Sequence, residues 1–305
     1  MVRIAGSIRN KTRVPCMVEH NNLSPASSPG VRLPVYARVP INRCNLPAVI
    51  VGSLSFQRHP TTVLIDGVHE LHRRLFDTLD TMPTHEQRAQ HFMDYMTVHF
   101  CFEHLEDAGL ELNANKTGQR NKADYLRILR GWLFDSDGRE AAVLKSWVES
   151  RFGLLPRYHN GPLHTTDRRD MRADNHNAYL EARARGLYAT NALEAQLDLL
   201  YSYCQYELGL DLAPDAHIRL YRGVNRLHEF EVLEQHDRHE AVVLLNNLNS
   251  FTRNRERADE FGDFILGIDA CWQKILFYSD LLPGFFSGEE EVLVIGGVYE
   301  VDISI

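Results

Sequence analysis

Several absences narrow this chain before any feature of it is used. No apolar run approaches the ~18 to 20 residues that a membrane span needs. The opening "MVRIAGSIRNKTRVP" also lacks the apolar core of an export signal, so a cytoplasmic protein is expected. The five cysteines, Cys16, Cys44, Cys101, Cys204 and Cys271, are odd in number and form no C-x-x-C pair, which points to reduced thiols rather than a disulfide frame. There is no H-E-x-x-H. Around His69 and His72 in "HELHR", or His99 and His104 in "HFCFEH", no Cys or carboxylate set completes a tetrahedral site, so no metal is expected. Neither common glycine-rich phosphate loop occurs. An excess of positive charge is missing too: a net charge of -8 argues against a general nucleic-acid or membrane-surface binder. Any polyanion it binds must meet a local cluster of cations.

With 305 residues, 44% of them hydrophobic, the chain can bury a sizeable core. Residues 1–44 are rich in Pro, Ser, Asn and Arg ("NNLSPASSPGVRLP") without period, and read as a loosely ordered extension. Residues 45–213 are mainly helical. Val68, Leu71, Leu75 and Leu79 repeat on one helix face, and Thr84 stands three residues before Gln87 as a helix start. Further helices fit "KADYLRILRGWLF", "REAAVLKSWVESRF" and one long run, "AYLEARARGLYATNALEAQLDLLYSYCQYEL". From 214 to 305 the period becomes extended, in "IRLYRG", "AVVLLNNLNSFT", "DFILGIDACW", "KILFYS" and "EVLVIGGVYEVDISI". A helical block followed by a strand-rich block, packed as one compact unit, is an α+β fold.

Three short features of the strand-rich block can carry chemistry. In "RLYRG", Arg222 falls at a strand end, where it is either solvated or turned inward as a planar fork for phosphate or carboxylate. Gly223 lets another group come close to the backbone. In "NSFTRNRERADEFGD", Ser250 and Thr252 share one face of a strand; Thr252 also reads as a plain helix cap. In "GEEEVLVIGG", at the entrance to a strand, Glu289 and Glu291 are two apart, roughly 7 Å at the backbone, and face the same side while Glu290 faces away. Such a pair can divide the stabilising of a cation and the taking of a proton.

In this order the features resemble the Arg-Ser-Glu class of mono-ADP-ribosyltransferases, through "YRG" at 221–223, "SFT" at 250–252 with Ala258, Phe261 and Gly262 behind it, and "EEEVLVIGGVYEV" from 289. From about residue 45 onward, "NLPAVIVGSLSFQRHP" and the helical middle resemble the bacterial NAD-dependent dinitrogenase reductase ADP-ribosyltransferases. The resemblance implies a C-terminal split β-sandwich under the helical half, NAD as co-substrate and no metal. It further implies Arg222 on the diphosphate or adenine-side ribose, the Gly223 backbone on the nicotinamide carboxamide, and Ser250 orienting Glu291. Glu291 would stabilise the ribosyl cation and Glu289 would position the acceptor arginine. Where the class often has Ser-Thr-Ser this chain has Ser-Phe-Thr, which leaves a separate role for Thr252 open. The target implied is the nitrogenase iron protein, and a PII-type nitrogen regulator is an implied partner. "LLPGFFSG" would meet the target, with Phe285 and Phe286 either exposed as contacts or packed under the sheet. A non-catalytic module with the same fold and an NAD glycohydrolase are the competing readings.

Overall fold

The computed structural model describes residues 31–102, 124–157, 159–160, 171–188, 190–225, 230–286 and 290–304. They belong to one compact unit, Val31–Ile305; residues 1–30 of the expected extension lie outside the described residues.

Local chemistry sets the helix ends. After α1 (Ala48–Val51), α2 (Leu54–Arg58) starts where the Ser53 hydroxyl accepts from the Phe56 amide. Two short helices, α3 (Val68–Leu71) and α4 (Arg73–Leu79), replace the single face expected there. His72, at φ -107° and ψ 22°, breaks the ladder, and Leu71 is left 74% exposed while Val68, Leu75 and Leu79 stay buried. α5 (His85–His99) opens as expected, with Thr84 Oγ1 accepting from Gln87 N at 3.3 Å. Asp124 caps α6 (Tyr125–Phe134), and left-handed Gly153 closes α7 (Arg139–Phe152). The long helical run also divides, into α8 (Met171–Gly186) and α9 (Ala192–Asp211), with Tyr188 left-handed between them. A short α10 (Arg255–Asp259) is capped by Asn254.

Among the described residues there are six strands: β1 (His217–Val224), β2 (Glu231–Gln235), β3 (Glu240–Thr252), β4 (Phe264–Cys271), β5 (Ile275–Tyr278) and β6 (Glu291–Ser304). Every pairing is antiparallel, so helix and antiparallel sheet combine as the sequence led us to expect. β2 was not foreseen, because "EVLEQ" is an edge strand with little apolar pattern. β6 is the spine: it pairs with β3, with β5 and, at its far end, with β4. β4 pairs with β1, and β1 meets β3 at Tyr221 and Thr252. The pairings β1, β3, β6, β4 thus close on themselves.

β3 carries a bulge between Leu245 and Leu248, opposite Gly297 and Ile295. Its Asn247 side chain donates to the carbonyls of Lys145 and Leu154, at 2.7 and 3.0 Å, tying the sheet to α7 and the turn after it. Room for the bulge comes from Gly296, where a Cβ would stand 1.6 Å from the Asn246 carbonyl oxygen. Beneath it lies Lys274, fully buried, donating to the Gly296 carbonyl and 5.0 Å from the Tyr299 ring centre. α9 covers β5 through buried Leu200, Tyr201, Cys204 and Leu208.

Burial pushes the Lys274 amine down to about 7, against about 10.4 in an unfolded chain. Between those values the unfolded chain binds the extra proton, so this group's share of stability is full above the unfolded value and is lost as pH falls through the folded one. Lys274→Met should therefore stabilise the chain most at neutral pH and below, with the gain shrinking as pH rises towards about 10. Urea melts of both chains across that range check this.

Candidate active site

The site lies where β1, β3 and β6 meet. Thr252 is paired with Tyr221 on one side and with Glu291 on the other, so register alone brings together segments far apart in the chain. Arg222 Nη1 donates to the Ser250 carbonyl oxygen at 2.9 Å. The Ser250 hydroxyl donates to Glu291 Oε1. Arg222, Ser250 and Glu291 of the sequence reading are thus brought into one cluster.

Other expected residues take more specific places. Gly223 is needed for packing: a Cβ there would stand 2.0 Å from the Ala258 carbonyl oxygen, and one on Gly262 would stand 2.4 Å from the Val224 carbonyl carbon. These glycines dock β1 on the turn that carries α10. Thr252 is not the cap of that helix, since Asn254 receives the amides of Glu256 and Arg257. The Thr252 hydroxyl accepts from Asn254 N at 3.1 Å, which shapes the turn. Glu289 lies outside the described residues. β6 begins at Glu291, and Glu290 before it is left-handed at φ 46°, so simple strand alternation does not carry back past Glu291. Glu290 itself is exposed. Phe286 is buried and meets the Phe277 ring edge-on at 5.1 Å. Phe285 is 37% exposed, with the Arg130 guanidinium 5.6 Å from its ring centre.

Two residues that the sequence reading passed over complete the cluster. Trp132 of α6 donates its indole N–H to Ser250 Oγ at 2.8 Å. The signal available was only generic: a buried indole N–H requires an acceptor, and sequence does not say which. Ser279 brackets the Glu291 backbone, accepting from its amide at 2.6 Å and donating to its carbonyl at 3.0 Å.

Two clefts share Tyr221 and Glu291. One, of about 470 Å³, is lined by Trp132, Arg222, Gly223 and Ser250 and rimmed by the exposed rings of Phe134 and Phe261. The other, of about 510 Å³, is lined by Tyr278, Asp280, Glu290 and Arg253, whose guanidinium lies 5.6 Å from the Tyr278 ring centre. The size of each suits a small-molecule site. Among the described residues no three His, Cys, Asp or Glu side chains gather as metal ligands.

The helical half grips the segment between β5 and β6. His85 Nδ1 faces Glu207 Oε2 at 3.0 Å and its Nε2 faces the Asp280 carbonyl at 2.9 Å. Both ring nitrogens meet acceptors, so the imidazolium fits best; the hydrogen bond to Glu207 is the chief cause that raises its pKa. Such a group adds stability that is full below the unfolded value near 6.5 and is lost as pH rises through the folded one. His85→Phe should therefore destabilise the chain most in mild acid, and the difference from the parent should shrink as pH rises past the folded value, as denaturant melts at a series of pH values would record.

The sequence profile of the dinitrogenase reductase ADP-ribosyltransferase family matches residues 41–303. A relative from Rhodospirillum rubrum, the NAD(+)--dinitrogen-reductase ADP-D-ribosyltransferase, is 37% identical over 270 residues, covering 86% of this chain and 94% of that protein. No solved structure matches at a significant level. With a profile match over most of its length and a relative 37% identical across 86% of it, the chain belongs to the dinitrogenase reductase ADP-ribosyltransferase family.

Proposed function

We propose that this chain transfers ADP-ribose from NAD to an arginine of dinitrogenase reductase, the nitrogenase iron protein, and so switches off nitrogen fixation. The observation that carries the reading is the contact of Arg222, Ser250 and Glu291 at one strand junction beside a cleft. The closed circuit of β1, β3, β6 and β4 supports a split β-sandwich of the mono-ADP-ribosyltransferase type.

The 470 Å³ cleft offers what NAD requires. Arg222 supplies a forked cation for the diphosphate, the local positive site that an acidic chain must provide. The Gly223 backbone faces the nicotinamide carboxamide, and the rings of Phe134 and Phe261 at the rim present flat apolar surface to a planar base. Thr252, at the floor, keeps the β3 end in register. Glu291 faces the ribose carbon as its bond to the nicotinamide nitrogen breaks. The bonding pair leaves with nicotinamide, and the carboxylate stabilises the positive charge left on the sugar.

The target guanidinium enters from the side of the acidic cleft. Its nitrogen bonds to the ribose carbon and gives up one proton; Glu289, just ahead of Glu291 in the chain, is the carboxylate we assign to hold it and take that proton. An arginine side chain stays protonated at neutral pH, so a carboxylate partner is required for it to act as a nucleophile. Phe285, exposed on the segment before the glutamates, is assigned to touch the target, with buried Phe286 anchoring it from below. A bulky anionic group placed on a surface arginine then blocks docking by charge and size.

Incubation with labelled NAD and purified dinitrogenase reductase tests this reading. Label should appear on an arginine, and Glu291→Ala should cut the rate about 10²-fold or more. Free ADP-ribose without labelled protein would indicate a glycohydrolase instead, and binding of the target with neither product would indicate a non-catalytic module. Phe285→Ala should raise KM for the protein target several-fold while leaving KM for NAD unchanged, read from initial rates with each substrate varied in turn.

A further inference from the structure

Among the described residues, a hydrogen bond from Trp132 joins the helical half to Ser250. Trp132, on α6, is 3% exposed and its indole N–H lies 2.8 Å from Ser250 Oγ. The same hydroxyl donates to Glu291 Oε1. Resting on the reading of Glu291 as the carboxylate that faces the ribosyl cation, we propose that Trp132 is a positioning residue for it, acting through Ser250.

The direction of this chain of hydrogen bonds follows from the chemistry of its members. An indole N–H only donates, and an ionised carboxylate only accepts. The serine hydroxyl has one proton and two lone pairs. With one lone pair taken by Trp132, its proton is directed to Glu291 Oε1. Without the indole, the hydroxyl is free to rotate, and its proton can turn to other acceptors. Hydrogen bonds in series also polarise one another, so the bond to the carboxylate strengthens when the indole bonds the serine.

Trp132 is itself held firmly. Behind the indole lies Lys145, 2% exposed, with Nζ 5.9 Å from the Trp132 ring centre and bonded to Asp137 at 2.6 Å. The Lys145 carbonyl in turn receives the Asn247 amide from the bulge of β3. Trp132 thus ties α6 to β3 in front, and Lys145 ties α7 to β3 behind the indole. α6 also sends Arg130 to Phe285, so it touches the segment ahead of the glutamates as well. Its position therefore bears on the acid and on the target-facing segment together.

The test must remove the N–H and keep the ring. Trp132→Phe does so but leaves a cavity; 3-benzothienylalanine at position 132, with sulfur in place of N–H in the same bicyclic outline, does so without one. Rates of ADP-ribosyl transfer are measured for both, in the parent chain and in Ser250→Ala, with Glu291→Ala alongside. The benzothienyl chain should lose about tenfold in kcat, the scale of one hydrogen bond to a charged network, with KM for NAD unchanged. In the Ser250→Ala background the same replacement should cost nothing further, because the serine through which it acts is gone. Full kcat in the benzothienyl chain, or losses that multiply in the Ser250→Ala background, would overturn the proposal while an inactive Glu291→Ala leaves the functional reading standing. Wild-type rates in Glu291→Ala would overturn both.

Discussion

Thr252 is paired on both sides, to Tyr221 of β1 and to Glu291 of β6, and the site depends on that double pairing. Directly opposite residues of an antiparallel pair stand about 4.5–5.5 Å apart at Cα. Three segments separated by dozens of residues are therefore set in contact by backbone hydrogen bonds rather than by side-chain affinity. A slip of one residue in β3 would turn Ser250 away from Glu291 and expose its apolar neighbours. The bulge at Asn246 and Asn247 sets the phase of everything after it. It exists because Gly296 has no side chain to meet the Asn246 carbonyl and because Asn247 satisfies the backbone carbonyls of α7 and the turn after it.

Charge is divided about Glu291 in a way that suits two substrates of opposite sign. Among the described lining residues, the cleft with Trp132 has two arginines, Arg222 and Arg257, against Glu291 alone. The cleft with Tyr278 has Arg253 and Arg255 against three acids, Asp280, Glu290 and Glu291. A chain with net charge -8 thus keeps a locally cationic groove on one side of the acid and an acidic one on the other. On the proposed reading, the dinucleotide diphosphate takes the first and the incoming guanidinium the second.

How much of this was legible in the sequence follows from the range of each interaction. Strand period and short spacing are local, so "YRG", "SFT" and the final glutamate of "EEE" could be read as strand residues, and they lie on β1, β3 and β6. The order of these motifs carried the family resemblance, and the profile and relative agree with it. Trp132 was not found, because its bond to Ser250 spans 118 residues and only tertiary packing of α6 on β3 creates it. Ahead of Glu291 the strand period stops, since Glu290 is left-handed and β6 starts after it, and Glu289 lies outside the described residues. The helix face through Leu71 failed for a related reason: His72 leaves the helical region and the phase is lost. Gly223 was read as room for a ligand, and the structure shows a second need, the close passage of Ala258.

The supports of Glu291 come from three different layers. Its backbone is bracketed by Ser279, its strand is fixed by Thr252, and its carboxylate is oriented by Ser250 under the indole of Trp132. Charge stabilisation of a short-lived cation is effective only when the carboxylate need not reorganise as the charge appears, which is what such bracketing secures. Recognition of a folded protein makes a different demand, because the acceptor arrives on a surface of its own shape. The segment ahead of β6, proposed to meet it, has one anchored and one exposed ring, Phe286 against Phe277 and Phe285 against solvent and Arg130. On the proposed reading, rigid support around Glu291 and a surface ring ahead of it put the specificity for sugar chemistry in the sheet and the specificity for the partner at its edge.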